Sequence, residues 1–182
     1  MKLSLLMSVL LLGTVISLLP APARATVSND ERAGDVLMVA LPAAAYATTF
    51  YLDDEEGRMQ FYKSFATTIV SVSALKYTVN ARRPDGGSQS FPSWHTTSAF
   101  DGAAFLQRRY GWSYGLPSYL AASYVGWSRV HADRHYPRDV YAGAALALAA
   151  NYYFVDKRPG AAPLVSFWSD GRSLGLALNG HW

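Results

Sequence analysis

The chain has no cysteine. Disulfides, thiolate metal sites and cysteine nucleophiles are therefore excluded. Charge is also scarce: Asp, Glu, Lys and Arg make up 16% of the 182 residues, against roughly 25% in an average soluble domain. No basic–aromatic stripe runs through the sequence, which argues against a nucleic-acid partner. No internal repeat or low-complexity tract is visible, and no cluster of carboxylates is spaced to hold a metal.

What remains is apolar and mildly basic. Hydrophobic residues account for 51% of the chain and the formal net charge is +3. That excess fits an anionic substrate or an anionic membrane surface. The length suits one domain with a sizeable core. Lys2 precedes an apolar run from Leu3 to Leu19, and Ala23-Arg24-Ala25 follows as a small-x-small site. Residues 1–25 therefore read as a signal peptide, with an uncleaved membrane helix as the alternative.

The expected domain covers residues 26–160 and a tail covers 161–182. Residues 26–33 are polar and read as a loose lead-in. Apolar spacing predicts helices over 36–52, 59–81, 95–109, 116–128 and 137–155. Pro42 is an expected kink, residues 53–57 an acidic turn, and Pro84 the stop of the second helix. In the tail, alternating apolar positions flank Asp170-Gly171, which suggests a β-hairpin. The fold class is thus all-α: a compact bundle of about five helices with a short hairpin-like appendage. A membrane-embedded version would count the signal segment as a sixth helix and put the charged motifs on one side. The modest hydrophobicity favours an exported bundle that is soluble or peripherally attached.

Three short blocks carry the chemistry. Lys76 and Arg83 lie seven residues apart, about two helical turns, so both can project from one helix face. They make a clamp for an oxyanion, Arg as a planar fork and Lys as a point charge. In Pro92-Ser93-Trp94-His95, Ser93 can cap the helix that follows. A helix start favours an anion, and His95 beside it can give or take a proton. In Ser128-Arg129 through His135 to Asp139, the last two are four apart. A carboxylate on one imidazole nitrogen frees the other to attack. Pro137 between them requires a helix that begins there, with Asp139 reaching back toward its start. Alone, each block also reads as a solvated or capping group. The three together, in this order, do not.

The combination resembles the type 2 phosphatidic acid phosphatase / vanadium haloperoxidase superfamily, whose signature is Lys-x6-Arg-Pro, Pro-Ser-Gly-His and Ser-Arg-x5-His-x3-Asp. The first and third blocks match fully, and the second matches except at Trp94. The resemblance implies a metal-free, cofactor-free phosphatase. His135 would attack phosphorus, Asp139 orient it, and His95 protonate the leaving oxygen and then activate water. Lys76, Arg83 and Arg129 would hold the phosphate oxygens, helped by Ser93 and the amide of Trp94. Substrates would be phosphorylated lipids, such as phosphatidate, an isoprenyl diphosphate or a lipid A phosphate, or small soluble esters. A haloperoxidase would instead hold vanadate on His135. A non-enzymatic envelope protein using its tail is a third reading. Trp94 in place of the family's Gly would be strained if that position required a positive φ; otherwise its indole lines the pocket or its rim. His131 and Asp133 are expected to shape the rim, and Arg82 to be solvated.

Overall fold

The computed structural model describes residues 28–160, 165–169, 171 and 173–178. It contains five helices: α1 (Asn29–Tyr51), α2 (Glu55–Val79), α3 (Trp94–Tyr110), α4 (Trp112–His131) and α5 (Pro137–Phe154). Strands β1 (Val165–Ser169) and β2 (Leu174–Leu178) pair antiparallel, with Phe167 opposite Leu176. The all-α bundle and its hairpin tail are as expected. The signal-peptide segment lies outside the described residues.

Helix α3 is the axis of the bundle. Twelve of its 17 residues are buried, and it packs against each of the other four helices. Its sequence explains this. Thr96, Thr97, Ser98, Ala99, Gly102, Ala103 and Ala104 are small enough for neighbouring backbones to approach. At Gly102 a Cβ would meet the backbone of Leu41 and Pro42 at 2.6 Å, so only glycine fits this crossing with α1. Pro42 lies within α1 at that contact. Two apolar clusters flank the axis. One contains Phe61, Phe105, Leu106, Tyr110 and Val155. The other contains Leu41, Ala99, Ala103, Ala122 and Val125.

Helix ends depart from the sequence reading for identifiable reasons. The lead-in is helical from Asn29, because Ser28 accepts the amide of Glu31 and caps the helix. This is an N-terminal Ser-x-x-Glu pattern, with Asp30 and Glu31 adding charge of the favoured sign. The acidic turn likewise contains a helix start: Asp54 accepts from the amide of Gly57, and α2 begins at Glu55. Helix α2 ends at Val79, well before Pro84. Asn80 stops it by adopting the left-handed conformation, φ 42°, which Asn tolerates better than most residues. Lys76 is therefore helical and Arg83 is not, so the expectation that one helix face presents both is corrected. Helix α4 starts earlier than predicted, at Trp112, and carries Pro117 inside it. Among the described residues, α1 alone is long and apolar enough to cross a bilayer.

One polar group sits in the core below the motifs. Asp101 is fully buried and accepts from Thr68 Oγ1 at 2.8 Å and from Asn151 Nδ2 at 2.9 Å, both on Oδ1. Asp101 Oδ2 and Asn151 Oδ1 have no partner. A proton on Asp101 would turn Oδ2 into the donor this cluster lacks, and burial does push its carboxyl up, to about 7. A proton held more tightly in the folded than in the unfolded state stabilises the fold at low pH. That contribution is complete below the ordinary value of 3.8, declines as pH rises, and is exhausted above about 7. Thermal melts between pH 4.5 and 8 should show the wild type losing stability with rising pH. Asp101→Asn, an isostere of the neutral acid, should flatten that dependence without lowering the melting temperature at pH 8.

Candidate active site

The three blocks meet at the end of the bundle where α2 stops and α3 and α5 begin. Asp139 joins them. It occupies the third position of α5 and is completely buried. Its Oδ2 accepts from the backbone amide of Tyr136 at 3.0 Å, reaching back to the helix start. The same oxygen accepts from Ser90 Oγ, and its backbone carbonyl accepts from the amide of Ser93 at 2.9 Å. Pro137 is the first residue of α5, so it costs no hydrogen bond there.

His135 precedes α5 and is 3% exposed. Its Nδ1 stands 3.5 Å from Asp139 Oδ2. That is long for a hydrogen bond, and both Nδ1 and Asp139 Oδ1 lack a partner. Burial, then the charges of Arg83 and Lys76, push the imidazole down to about 4 against the pull of Asp139. That direction favours the neutral ring at neutral pH, and Nε2 is the nitrogen turned away from Asp139.

The cations are held by carbonyl oxygens. Lys76 Nζ donates to Gln89 O at 2.7 Å, and Arg83 Nε donates to Ser88 O at 3.0 Å. The loop between them is closed by Ser90 N to Ala81 O and Arg83 N to Gly87 O, each 2.8 Å. Gly86, at φ 88°, makes the turn possible. Carbonyls satisfy the donors' geometry but not their charge. Burial, followed by the charge of Arg83, lowers the Lys76 ammonium to about 8, with Asp139 opposing. Arg129, at the last turn of α4, is buried. Its Nε donates to Ser128 Oγ at 3.2 Å, its Nη1 to Asp35 Oδ1 at 2.7 Å and its Nη2 to Glu31 O.

Ser93 caps α3: its Oγ accepts from Thr96 N at 3.4 Å and from Thr96 Oγ1 at 3.1 Å. Its own hydroxyl proton is left to donate. Trp94 is the first residue of α3 and half-buried. Its backbone is helical, so replacing glycine there introduces no positive-φ strain. His95 lies in the same first turn, with Nε2 3.1 Å from Asp35 Oδ1. Burial and Arg129 push its imidazole down, while Asp35 pulls it up.

Four neighbours were not legible in the motifs: Glu31 and Asp35 on α1, Ser90, and Arg134. Arg134 bridges Glu31 at 2.7 Å and Asp85 at 3.0 Å, tying α1 to the loop after α2. Asp35 sits one residue before the uncharged stretch of α1, and nothing in its local sequence marks it. His131 is exposed and stacks on Trp127, 4.7 Å between centroids. Asp133 turns the chain at φ 54°, and Arg82 is exposed.

Residues 85–159 match the family model described as the PAP2 superfamily. Lys76 and Arg83 lie just upstream of that match. Lipid A 1-phosphatase of Porphyromonas gingivalis is 40% identical over 82 residues, covering 42% of this chain and 18% of that protein. Undecaprenyl-diphosphatase BcrC of Bacillus subtilis is 32% identical over 83 residues, covering 44% of this chain and 41% of that protein. The chain thus spans less than half the length of either relative. The crystal structure of Aquifex aeolicus LpxE superposes with a TM-score of 0.55 at 23% identity, over 65% of this chain and 82% of that one. That likeness concerns the fold. The second and third motif blocks lie within the residues that match the PAP2 superfamily model.

The electrostatics of Lys76 lead to a binding prediction. Inorganic phosphate should bind the free protein more weakly as pH rises through about 8, because the ammonium then loses its proton. Lys76→Met should weaken binding about tenfold at pH 7, the loss of one charge-assisted hydrogen bond. It should also remove the decline near pH 8. Calorimetric titration of both proteins with phosphate between pH 6.5 and 9 measures this.

Proposed function

We propose that this protein is a metal-independent phosphatase of phosphorylated lipids, acting on monoesters or diphosphates through a phosphohistidine at His135. One observation carries the reading: two buried or half-buried cations, Lys76 and Arg83, are hydrogen-bonded to carbonyls alone and bear on a buried, neutral imidazole. Cations arranged this way have an unmet need for an anion and are preorganised to stabilise charge on phosphoryl oxygens. The names of the relatives support a lipid phosphate as the substrate.

The geometry supports the following steps. Nε2 of neutral His135 attacks phosphorus, the P–N bond forms, and the bond from phosphorus to the leaving oxygen breaks. Protonated His95 supplies a proton to that oxygen. Asp139 faces Nδ1 and balances the positive charge that His135 acquires. Lys76, Arg83 and Arg129 hold the non-bridging oxygens. Neutral His95 then takes a proton from water, the resulting hydroxide attacks phosphorus, and the P–N bond breaks. Phosphate leaves and His135 is restored. Among the described residues, no group of three or more His, Cys, Asp or Glu is disposed to hold a metal ion, and no step requires one.

A place for the lipid chain lies alongside. Helices α4 and α5 are in sparse contact, and the gap is an apolar groove of about 350 Å³ lined by Phe100, Trp127, Val130, Val140, Tyr141 and Ala144 among others. Val130 follows Arg129 and Val140 follows Asp139 in sequence, so the groove begins beside the site. The reading includes export to the periplasm after removal of residues 1–25, with the protein working at a membrane surface.

His135→Ala should reduce turnover at least about a thousandfold, as removal of a nucleophile does. Rapid quench of the wild type with radiolabelled substrate should trap an acid-labile phosphoenzyme, and EDTA should leave the rate unchanged. Absence of the phosphoenzyme at good turnover, or metal-restorable loss in EDTA, contradicts the mechanism. Ala144→Trp should raise KM for a phosphorylated lipid about tenfold and leave p-nitrophenyl phosphate unaffected. Equal effects on both substrates contradict the groove assignment.

A further inference from the structure

His95 poses an electrostatic problem that the motifs do not answer. To protonate a leaving alkoxide it must be an imidazolium when substrate is bound. Its surroundings oppose that. The charged groups that face it are Arg129 from α4, Arg83 from the loop after α2, and Asp35 from α1. Two are cations, and the ring is largely removed from water. Left to them, the imidazole would be neutral and unable to donate.

Asp35 is the exception. Its Oδ1 lies 3.1 Å from His95 Nε2 and 2.7 Å from Arg129 Nη1. One carboxylate oxygen thus serves both the imidazole and the arginine that the clamp requires. The arrangement repeats, in another part of the chain, the pairing of His135 with Asp139. The two pairs differ in a way that suits different tasks. Asp139 is completely buried and stands 3.5 Å from its imidazole, a ring that burial, Arg83 and Lys76 push down. The side chain of Asp35 is about half exposed and stands nearer its imidazole, at 3.1 Å. Its place on α1 is fixed independently. Glu31, one turn earlier, gives its carbonyl to Arg129 and its carboxylate to Arg134. At Gly34, next to Asp35, a Cβ would meet Ser128 Oγ at 2.3 Å and Arg129 Nη2 at 2.5 Å. Glycine is thus what lets α1 come close enough for Asp35 to reach both groups.

We infer that Asp35 is the positioning residue of the general acid: its carboxylate holds Nε2–H of His95, opposes the field of the neighbouring cations, and aims Nδ1–H at the leaving oxygen. This rests on the phosphatase reading above. The proton on Nδ1 passes to the leaving oxygen as its bond to phosphorus breaks. The Nε2 proton stays with the Asp35 hydrogen bond throughout. In the second half-reaction Nδ1 takes a proton from the attacking water, and the imidazolium is regenerated.

The test compares wild type, Asp35→Asn and Asp35→Glu on two substrates. One is an alkyl phosphate, whose alkoxide must be protonated to leave. The other is p-nitrophenyl phosphate, whose phenolate leaves without a proton. Asp35→Asn should lower kcat/KM on the alkyl phosphate about ten- to a hundredfold, part of the general-acid effect. For p-nitrophenyl phosphate, kcat/KM ends at departure of the phenolate and omits the water step, so it should change less than about threefold. The alkaline limb of the alkyl phosphate profile should move to lower pH. In isotope-labelled protein the His95 resonance should titrate about one unit lower or more, the loss of an adjacent opposite charge. Asp35→Glu should recover part of each effect. Equal losses on both substrates make Asp35 a structural support of the clamp and overturn the inference. So does tighter phosphate binding with undiminished kcat, which would make Asp35 an internal anion that substrate displaces. An active wild type with an indifferent Asp35→Asn removes only this inference. A wild type inactive on both substrates removes the phosphatase reading and the inference with it.

Discussion

The buried carboxylate of Asp139 is the constraint on which the site depends. Its Oδ2 closes the first turn of α5 and receives Ser90, and its carbonyl receives Ser93 just before α3 begins. Three segments far apart in sequence are thereby pinned to one helix start. A carboxylate at a helix N-terminus is stabilised by free amides and by the dipole, which is why it can be buried without a bidentate arginine. Its Oδ1 and the Nδ1 of the neighbouring His135 are both left without a hydrogen-bond partner, and Nδ1 stands 3.5 Å from Oδ2.

Charge compensation separates the arginines and lysines that build this protein from those that work in it. At the far end of the bundle Arg109 is buried against Asp54, with Nη2–Oδ1 at 2.6 Å and Nε–Oδ2 at 2.8 Å. Tyr110 adds a third bond to the same carboxylate. That arginine is fully neutralised and has no further anion to seek. Lys76 and Arg83 donate only to carbonyl dipoles. Their hydrogen-bonding geometry is satisfied while their field remains. The two ends use similar side chains for opposite purposes, and the type of acceptor records which is which.

Much of this was legible in the sequence. The five helices follow from apolar spacing, and the motif residues converge because each block lies at an element end. What the sequence hid were mainly end effects and one long-range partner. The Ser28 and Asp54 caps turned polar stretches into helix starts. The left-handed Asn80 ended α2 early and moved Arg83 off the helix. Lys76 and Arg83 still meet the same imidazole because the loop folds back through Gly86. Such features depend on single side chains, which leave no mark on the apolar periodicity. Asp35 was invisible for another reason. Its partners lie 60 and 94 residues away, and only packing at Gly34 brings it to them.

Arg129 connects these threads. It is the one clamp cation already matched to a carboxylate, and it shares that carboxylate with His95. A phosphate arriving beside Lys76 and Arg83 adds negative charge next to both groups. Its field raises the proton affinity of His95 and opposes that of Asp35 for Arg129. Arg129 also has bonds to Ser128 and Glu31 that do not involve Asp35. Under the proposed reaction, one carboxylate oxygen therefore bears both on phosphate binding, through Arg129, and on the acid, through His95. It supplies the negative charge on α1 that opposes the cations disfavouring the imidazolium.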